Sequence, residues 1–390
     1  MSNRQSGYIK PLPVMVYFVI VLILCMAGLA VSLYLSFSHY RVYTDIGYRS
    51  FCAISRAVNC DTVSQSPYSI FLGVPVPIWG IIGYVFMLVT IVFSLNTRGK
   101  KIRLLATLIF MALIFSLVSL CLGIISAVKI HSYCIMCIAT YAINFMLLYM
   151  FWLTRRRFEN NGFIESFKLD SNFWKSIKTK ALCFYLTLIA LSLVTALSIP
   201  PYWKLKPPHT NIVLHTGFTN KGFPWIGAEK PELTITEFTD YFCFQCKKMH
   251  FYLRALVSQY PDKLRLVHRQ FPMDHKFNPM IKETFHPGSG IMALIAIYAE
   301  TQHKFWETND VLYNYDISKH AIYLRKIAKA AHLDVHKLAR AVHDLLLIHK
   351  LEKDIFFGIK HHITGTPGYI IDGKTYIGDI PPEILNSLSK

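Results

Sequence analysis

Residues 132–144 read SYCIMCIATYAIN and place two cysteines, Cys134 and Cys137, at the start of a long apolar run. Most cysteines in membrane spans are inert packing residues, so two thiols at helical spacing at the end of a span are unusual. Tyr141 follows Cys137 by four residues, so one face of a helix carries both side chains. The stretch predicts a redox centre at a membrane boundary, from which electrons leave for a lipid-soluble acceptor.

The composition is typical of a membrane protein. Of the 390 residues, 53% are hydrophobic and only 16% are charged. The formal charge of +18 is explained by a bias of Lys and Arg toward cytoplasmic loops and lipid headgroups. Nucleic-acid binding is the weaker interpretation, because the basic residues lie between apolar runs and not on one folded face. The length allows two or three domains.

Five uncharged runs are long enough to cross a bilayer as helices. They cover residues 13–38, 74–95, 104–128, 133–153 and 181–199. The first run is too long for a signal-peptide core and lacks a clear cleavage site, so we interpret it as a retained helix. The first four runs predict a helical bundle, and the fifth predicts one more crossing.

Orientation follows from the Lys and Arg residues outside these runs. With the N-terminus inside, thirteen lie on the inner side: Arg4, Lys10, Arg98, Lys100, Lys101, Arg103, Arg155, Arg156, Arg157, Lys168, Lys175, Lys178 and Lys180. Four lie in the two outer loops: Arg41, Arg49, Arg56 and Lys129. The positive-inside rule therefore predicts a cytoplasmic N-terminus, and five crossings place everything after Pro200 outside.

The same topology places three cysteine pairs on the outer, oxidising side, where disulfides can form and persist. They are Cys52 with Cys60, Cys134 with Cys137, and Cys243 with Cys246. The orientation was derived from Lys and Arg alone, so the location of all three cysteine pairs on the oxidising side independently supports it. Three further cysteines stand alone inside apolar runs and are expected to be packing residues: Cys25, Cys121 and Cys183.

Residues 200–390 have a different pattern, which predicts an α/β domain. A Pro-rich tether, Pro200–Pro208, precedes an alternating strand, Leu233–Asp240, and then the Cys243-Phe-Gln-Cys246 motif. Apolar residues at helical spacing continue to Tyr260. Further elements are expected as a strand at 263–271, helices within 291–359, strands at 368–372 and 375–377 with Asp372-Gly373 at their turn, and a helix at 381–388.

The motif after the predicted strand is a dithiol whose first thiolate is stabilised by a helix N-terminus. Cys243 is therefore the candidate attacking group and Cys246 the resolving one. A structural disulfide or a zinc pair is the alternative. Zinc would need two further ligands, and His250, His361 and His362 are more typical of surface or core histidines, so we expect no metal.

About residues 210–390 resemble the thioredoxin-like family of the DsbA kind, through the strand, the Cys-x-x-Cys helix, a helical insertion and Thr366-Pro367. In that family the proline peptide is cis and lies beside the redox pair, where extended substrates bind. The resemblance therefore implies a substrate site at Thr366 and Pro367. Phe244-Gln245 stands where the strong oxidants have Pro-His, which implies a less oxidising pair.

About residues 13–155 resemble the vitamin K epoxide reductase family, which also occurs fused to thioredoxin-like domains in bacteria. The motifs are Cys52 and Cys60 in the outer loop, Ser66, the FLGVP segment at 71–75, and Cys134-Ile-Met-Cys137 followed by Ala139-Thr140-Tyr141. A lone Cys-x-x-Cys is a weak signal. Two cysteine pairs with this loop, serine and tyrosine form a strong one.

The second resemblance implies a chain of thiol–disulfide exchanges. Cys52 exchanges with the thioredoxin-like partner, and Cys60 exchanges with Cys134. Cys137 faces a quinone, which is ubiquinone or menaquinone. Tyr141 is expected to donate a hydrogen bond to a quinone carbonyl, but a tyrosine near a span end is also a common interfacial anchor.

Three further residues are assigned from the same resemblance. Ser66 is expected to order the loop over the site. Phe71 and Trp79 are expected to line the quinone pocket, and simple packing or lipid contact is the alternative for both.

The predicted architecture is an α-helical membrane protein, with a four-helix bundle plus a fifth transmembrane helix and a C-terminal α/β thioredoxin-like domain. We divide the chain into a catalytic membrane domain at 1–155 with its outer loop at 39–73, a cytoplasmic segment, fifth helix and linker at 156–208, and a periplasmic thioredoxin-like domain at 209–390. The expected location is the bacterial inner membrane.

The predicted function is that of a membrane thiol oxidase, which forms disulfides in exported proteins and passes the electrons to a quinone. Its expected partners are reduced exported proteins or peptides, a membrane quinone and the lipid bilayer, and no nucleic acid. Three alternatives remain. They are a membrane-anchored disulfide isomerase, a binding or chaperone module with structural disulfides, and a reductant importer, which would need a cysteine pair on the cytoplasmic side.

Overall fold

The computed structural model describes residues 12–55, 57–96, 104–176, 180–208, 213–283, 285–315 and 321–389. The chain divides into two compact units, Met1–Trp203 and Lys204–Lys390. Basic residues that the orientation prediction uses, in segments 1–11 and 97–103 and at Arg56 and Lys178, lie outside the described residues. The three-part division of the chain stays a prediction.

The N-terminal unit is mainly helical. Its helices are α1 (Val14–Thr44), α2 (Cys60–Gln65), α3 (Val76–Asn96), α4 (Leu105–Ile125), α5 (Ile135–Phe158), α6 (Phe163–Ser176) and α7 (Lys180–Ser198). A two-stranded ribbon of β1 (Ile70–Phe71) and β2 (Val74–Pro75) lies between α2 and α3. In the described part of the chain, α1, α3, α4 and α5 are long and apolar enough to cross a bilayer. The four predicted bundle helices are therefore confirmed.

Close approach and polar contacts join these four helices, as is usual where lipid removes the hydrophobic driving force. Gly28 of α1 faces α3, and a Cβ on it would lie 2.3 Å from Tyr84 Cζ. The Tyr84 hydroxyl donates to Asn144 Oδ1 of α5 at 2.6 Å, and Asn144 Nδ2 donates to Ser119 Oγ of α4 at 2.9 Å. One glycine and three polar side chains therefore link all four helices.

The fifth predicted crossing coincides with helix α7. This helix packs on α3 through Tyr185, whose ring lies 5.8 Å from the ring of Phe86 and whose hydroxyl lies 2.9 Å from Thr90 Oγ1. Its apolar stretch is Leu182–Val194 among the described residues, which is shorter than the ~20 residues of a full span. The fifth crossing therefore stays a prediction.

Helix α6 was not predicted, because the segment between the fourth and fifth apolar runs reads as a polar connection. Asp170 of α6 accepts hydrogen bonds from the backbone N–H and the hydroxyl of Thr107, both at 2.9 Å. Thr107 lies in the first turn of α4, where backbone N–H groups lack partners within the helix. A tertiary contact that local sequence cannot reveal therefore supports this helix.

The C-terminal unit is a mixed sheet surrounded by helices. Its strands are β3 (Thr216–Phe218), β4 (Pro224–Gly227), β5 (Leu233–Thr239), β6 (Leu264–Gln270), β7 (Gly368–Ile371) and β8 (Lys374–Ile377). The order in the sheet is β3-β4-β6-β5-β7-β8, with β5 and β6 parallel and the other neighbours antiparallel. The helices are α8 (Phe244–Gln259), α9 (Ser289–Thr301), α10 (Phe305–Tyr313), α11 (Leu324–Ala330), α12 (Val335–Ala341), α13 (Leu345–Lys360) and α14 (Pro382–Asn386).

This topology positions the Cys-x-x-Cys motif. Helix α8 connects the parallel strands β5 and β6, and α9 to α13 form the helical insertion before β7. The turn between β7 and β8 is formed by Asp372 and Gly373, with φ of 48° and 76°, as a tight hairpin turn requires. The predicted strands at β5 to β8 are confirmed. Strands β3 and β4 were missed, because they are short and contain Gly217 and Pro224.

A buried ion pair connects the sheet to the helical insertion. The guanidinium of Arg269 on β6 donates from Nε to Asp354 Oδ1 of α13 at 2.8 Å, and both side chains are almost wholly buried. The Arg269 guanidinium also lies 3.8 Å from the ring centroids of both Phe223 and Phe357. The sheet and α13 are therefore joined by an ion pair in which the buried Arg269 guanidinium depends on the Asp354 carboxylate for its stability.

Asp354→Ala is expected to lower the free energy of unfolding of the C-terminal unit by about 3–5 kcal/mol, because it leaves a buried arginine without its carboxylate. The measurement is the thermal unfolding midpoint of the full chain in detergent. Glu352→Ala is the matched control on α13, since Glu352 is about half exposed and lies 3.5 Å from His349, and such pairs contribute about 0–1 kcal/mol. Equal midpoints for the two variants would contradict this account.

Candidate redox site

The outer loop holds the first cysteine pair as a disulfide between Cys52 and Cys60. Asn59 caps the N-terminus of α2, because its Oδ1 accepts from the backbone N–H groups of Asp61 at 2.9 Å and Thr62 at 3.1 Å. Cys60 is therefore the first residue of a capped helix, and its position in the loop is fixed. Asn59 was not singled out in the sequence, although an asparagine directly before a short helix is a common cap.

Two backbone hydrogen bonds join this loop to the residue before the second pair. The Asn59 N–H donates to the Tyr133 carbonyl at 2.9 Å, and the Tyr133 N–H donates to the Ala57 carbonyl at 2.8 Å. We call Ala57, Asn59 and Tyr133 the loop clasp. The clasp holds Cys60 and Cys134 next to each other, since each cysteine directly follows a clasp residue in the chain.

The cysteines of the membrane unit form one dry cluster. Cys52, Cys60 and Cys134 pack together with Leu35 of α1, and their exposed fractions are 0%, 2% and 3%. Cys137 packs against the edge of this cluster and is half-buried. The structure therefore brings together the two pairs that the sequence analysis assigned to the membrane half, as thiol–disulfide exchange requires.

Cys134 also caps helix α5. Its Sγ accepts a hydrogen bond from the backbone N–H of Cys137 at 3.2 Å. The first cysteine of the pair thus lies at the positive end of the α5 dipole, where negative charge is favoured. Cys137 lies one turn into the helix and is therefore not at the positive end of the dipole.

The pair in the C-terminal unit repeats this geometry. Cys243 caps α8, and its Sγ accepts from the Cys246 backbone N–H at 3.3 Å. A hydrogen bond from Cys246 lowers the pKa of the Cys243 thiol, whereas burial raises the pKa of Cys246 well above its usual value. Cys243 is half-buried and Cys246 is buried. The first cysteine is thus suited to attack and the second to resolve the mixed disulfide.

The predicted substrate edge lies against this pair. The peptide bond between Thr366 and Pro367 is cis. The Cys243 thiol is 3.6 Å from the Thr366 carbonyl oxygen. The structure therefore brings both residues to the redox pair, and their contact with substrate stays a prediction.

A histidine that the sequence analysis missed contributes to the site. His286 Nδ1 lies 3.0 Å from Asp240 Oδ2, and the charge of the imidazole lowers the pKa of Cys243 in addition to the hydrogen bond from Cys246. His286 is 40 residues beyond Cys246 in an irregular segment, so no local motif indicates it. It supplies an imidazole to a pair whose intervening dipeptide, Phe244-Gln245, has none.

A second group beneath the motif was also missed. Glu237 Oε1 is 2.6 Å from His250 Nδ1 and 2.8 Å from His268 Nδ1, and all three side chains are buried. Burial would raise the pKa of the Glu237 carboxyl, but the two imidazoles lower it to about 2. His250, which the sequence analysis expected to be a surface or a core histidine, is thus a core histidine.

These three side chains are close enough to be considered as metal ligands. Their hydrogen bonds describe a different arrangement. Asn309 Oδ1 accepts from the Tyr241 hydroxyl, so Asn309 Nδ2 donates to His250 Nε2 at 2.8 Å. His250 therefore carries its proton on Nδ1 and donates it to Glu237, which occupies the positions that a metal would need.

The remaining predicted residues lie as follows. The Ser66 hydroxyl donates to the Val63 carbonyl at 2.7 Å at the end of α2, and its ordering of the loop over the site stays a prediction. Trp79 Nε1 donates to the Phe71 carbonyl at 3.0 Å, and the two rings are in contact. Tyr141 is half-buried on α5, and a Cβ on Gly123 of α4 would lie 3.7 Å from its ring. Their contact with a quinone stays a prediction.

The isolated cysteines differ from one another. Cys25 is buried, as expected of a packing residue. Cys121 and Cys183 are exposed on α4 and α7, so the packing prediction was wrong for them. Both lie on apolar helices whose outer faces are themselves apolar, where a small cysteine is tolerated without a protein neighbour.

Comparison with known proteins agrees with this geometry. Residues 19–152 match the model of the Vitamin K epoxide reductase family. Vitamin K epoxide reductase complex subunit 1 of Rattus norvegicus is 31% identical over 133 residues, which are 32% of this chain and 81% of that protein. The chain belongs to the vitamin K epoxide reductase family.

The C-terminal unit has its own match, since residues 219–388 fit the family model described as Thioredoxin. Together with the strand order, this establishes a vitamin K epoxide reductase domain followed by a thioredoxin-like domain. The structure of Chlamydia trachomatis DsbA is also similar, with 19% identity, 47% of this chain and 96% of that chain covered, and a TM-score of 0.36.

A further relative is matched over a small part of its own length. The Na(+)/H(+) antiporter NhaA of Herminiimonas arsenicoxydans is 24% identical over 152 residues, which are 39% of this chain. The chain spans 22% of the length of that antiporter.

The two family matches and the cysteine pairs make this vitamin K epoxide reductase family member a membrane thiol–disulfide oxidoreductase.

His286→Ala is expected to raise the pKa of Cys243, because it removes the imidazole that favours the thiolate and leaves the Asp240 carboxylate facing it. The measurement is the pH dependence of iodoacetamide alkylation at Cys243 in the full chain, read by mass spectrometry of that peptide. The curve should move to higher pH. His275→Ala is the control, because the carboxylate beside His275 is that of Asp274, at 3.7 Å; a shift of equal size in both variants would contradict the role of His286.

Glu237→Gln is expected to weaken the acid dependence of stability. Since the pKa of Glu237 falls from 4.5 to about 2 on folding, its charged form stabilises the folded state above the unfolded pKa, and this contribution is lost as pH falls toward 2. Glutamine does not titrate, so the thermal midpoint of the variant should change less between about pH 5 and 3. Glu229→Gln, at an exposed carboxylate, is the control; unchanged acid dependence in Glu237→Gln would exclude an ionised Glu237.

Proposed function

We propose that the chain is a quinone-dependent protein-dithiol oxidase. The observation that carries the proposal is the single dry cluster of Cys52, Cys60 and Cys134, with Cys137 at its edge. It supports an exchange in which the loop disulfide receives an electron pair and delivers it to the membrane pair. The third pair, in a thioredoxin-like domain, has the thiolate and the resolving thiol that an entry point needs.

Each proposed exchange breaks one disulfide and forms another. A substrate dithiol reduces the Cys243–Cys246 disulfide, and the substrate gains a disulfide in return. Cys243 and Cys246 then return to their disulfide by reducing Cys52–Cys60. The Cys60 thiolate attacks Cys134 of a Cys134–Cys137 disulfide, and the Cys137 thiolate leaves. Cys52 then attacks Cys60, so that the Cys52–Cys60 disulfide re-forms and the membrane pair is left as two thiols.

Cys137 then delivers two electrons to the acceptor while the Cys134–Cys137 disulfide re-forms. A bound quinone supplies the sink for two electrons and two protons. The residues present are compatible with a lipid-soluble ring, because Cys137 and Tyr141 are both half-buried on one face of α5. In this proposal Tyr141 orients a carbonyl, Ser66 orders the loop, and Phe71 and Trp79 line the pocket.

The substrates in this proposal are reduced exported proteins or peptides, which bind along Thr366 and Pro367. The N-terminus is cytoplasmic and the thioredoxin-like domain is periplasmic, in the bacterial inner membrane. The proposed parts of the chain are the membrane domain at 1–155, the connecting segment at 156–208 and the thioredoxin-like domain at 209–390. This arrangement keeps substrate exchange and quinol exchange at separate parts of one chain.

Cys137→Ser is expected to reduce peptide-driven quinol formation by about 10³-fold or more, because it removes the thiol that donates to the acceptor. The assay uses the full chain in detergent, a reduced peptide and a soluble quinone. Cys121→Ser is the matched control, as an exposed cysteine on a neighbouring membrane helix, and should retain the rate. Quinol formation that survives Cys137→Ser would contradict the terminal step.

The entry point is tested separately with Cys243→Ala. This variant should lose peptide-driven turnover and keep turnover driven by a high concentration of dithiothreitol, because this small dithiol reaches the loop disulfide whenever the loop opens locally. Unchanged peptide-driven turnover would exclude the thioredoxin-like domain as the entry point. An isomerase would instead rearrange a scrambled disulfide substrate without any quinone, and the same proteins measure that activity.

A further inference from the structure

Helix α6 has three distinct sides. Ser166, Asp170 and Phe173 are buried. Phe163 and Phe167 are exposed at successive turns. At about 3.6 residues per turn these two stripes face different directions, and Lys168 with Lys175 lies on a third, exposed side.

The buried side of α6 carries two polar residues, Ser166 and Asp170, beside Phe173, whereas a water-soluble surface helix would bury mainly apolar residues. Ser166 Oγ donates to Glu159 Oε2 at 3.2 Å, and Asp170 holds the first turn of α4 through Thr107. By contrast, the aromatic side points away from the protein, with Phe167 49% exposed and the adjacent Ile164 73% exposed. A helix that buries carboxylate and exposes phenylalanine is unsuited to water on that side.

The position of α6 indicates what covers this face. Its first turn lies at the end of α5, where the Arg155 guanidinium is 5.0 Å from the Phe163 ring centroid. Its middle meets the beginning of α4 at Thr107. Helix α6 therefore lies at one end of the spanning bundle, at the level where α5 leaves the membrane and α4 enters it.

The helices before and after α6 in the chain also expose apolar residues. Trp152 and Tyr149 are exposed near the end of α5, as in the aromatic belt of a membrane interface. Leu182 and Phe184 are exposed at the beginning of α7, only a few residues beyond α6. Exposed apolar residues therefore occur on α5 before α6 and on α7 after it, as well as on α6 itself.

We propose that α6 is an interfacial helix that inserts Phe163, Ile164 and Phe167 into the leaflet on its side of the bundle and binds anionic phospholipid headgroups with Lys168 and Lys175. The two lysines lie beside the apolar stripe, and their long side chains reach the headgroup layer from there. The apolar stripe supplies insertion, and the lysines supply preference for negative lipid. Through Asp170 and Thr107, the lipid surface is joined directly to α4.

The test uses the full chain in nanodiscs of phosphatidylcholine, with and without phosphatidylglycerol. The photo-crosslinker p-benzoylphenylalanine replaces Phe167 in one protein and, in a second, Asn172, an exposed polar residue about 140° away from Phe167 around the helix. Lipid adducts are counted by mass spectrometry. Position 167 should give at least about five-fold more phospholipid adduct than position 172, because only the inserted face meets acyl chains.

The headgroup preference is tested in the same assay with Lys168→Gln and Lys175→Gln combined. These changes should lower the phosphatidylglycerol adduct at position 167 by about five-fold or more and leave phosphatidylcholine adducts unchanged, since each basic residue adds attraction to an anionic surface. Lys129→Gln, an exposed lysine beyond the other end of α4, is the matched control.

Three results would overturn the proposal. Equal adducts at positions 167 and 172 exclude insertion of the apolar stripe. Adducts at 167 that are mainly to protein, from a second copy or from the same chain, identify a protein-docking face instead. Phosphatidylglycerol adducts that the lysine changes leave intact exclude the assigned headgroup contact.

Discussion

Two backbone hydrogen bonds of Tyr133, one accepted and one donated, hold the two cysteine pairs of the membrane unit next to each other. They join a loop and a helix end whose cysteines are 74 residues apart in the chain, Cys60 and Cys134. Because the bonds are made by main-chain atoms, they depend on backbone position and not on side-chain identity. The capped helix α2 on one side and α5 on the other then set the direction of each cysteine. Without the clasp, the capped N-termini of α2 and α5 would not hold the sulfurs of Cys60 and Cys134 next to each other.

The same local device occurs in both halves of the chain. In each, the first cysteine of a Cys-x-x-Cys motif caps a helix and accepts the N–H of the second cysteine. The surroundings then differentiate the two. Cys134 lies in an apolar cluster with few neighbouring charges, whereas Cys243 has an imidazole from His286 and a carboxylate from Asp240 nearby. One helix-end geometry is therefore tuned by unrelated tertiary environments, as is usual for reactive thiols.

Local patterns were sufficient to predict most of the architecture. The four bundle helices, the strand before Cys243 and the Asp372-Gly373 turn each follow from composition or spacing within a few residues. The cysteine pairs followed from spacing and from family resemblance. What could not be predicted depends on contacts between distant segments. His286 reaches the redox pair from an irregular segment, His268 meets Glu237 across the sheet, and α6 is held by a threonine 63 residues away.

Because Cys52 has no exposed surface, the folded loop protects its disulfide from dissolved thiols. Dissolved thiols reach a disulfide by in-line approach to one of its sulfurs, and that approach is closed while the loop keeps its folded conformation. The rate of adventitious reduction is then set by local opening of the loop and not by the concentration of small thiols alone. Phe51 and Ile54, on either side of Cys52, are nevertheless exposed. The folded loop therefore buries the Cys52 sulfur and exposes apolar side chains around it. A thiol partner would have to bind this apolar surface before it could exchange with the disulfide.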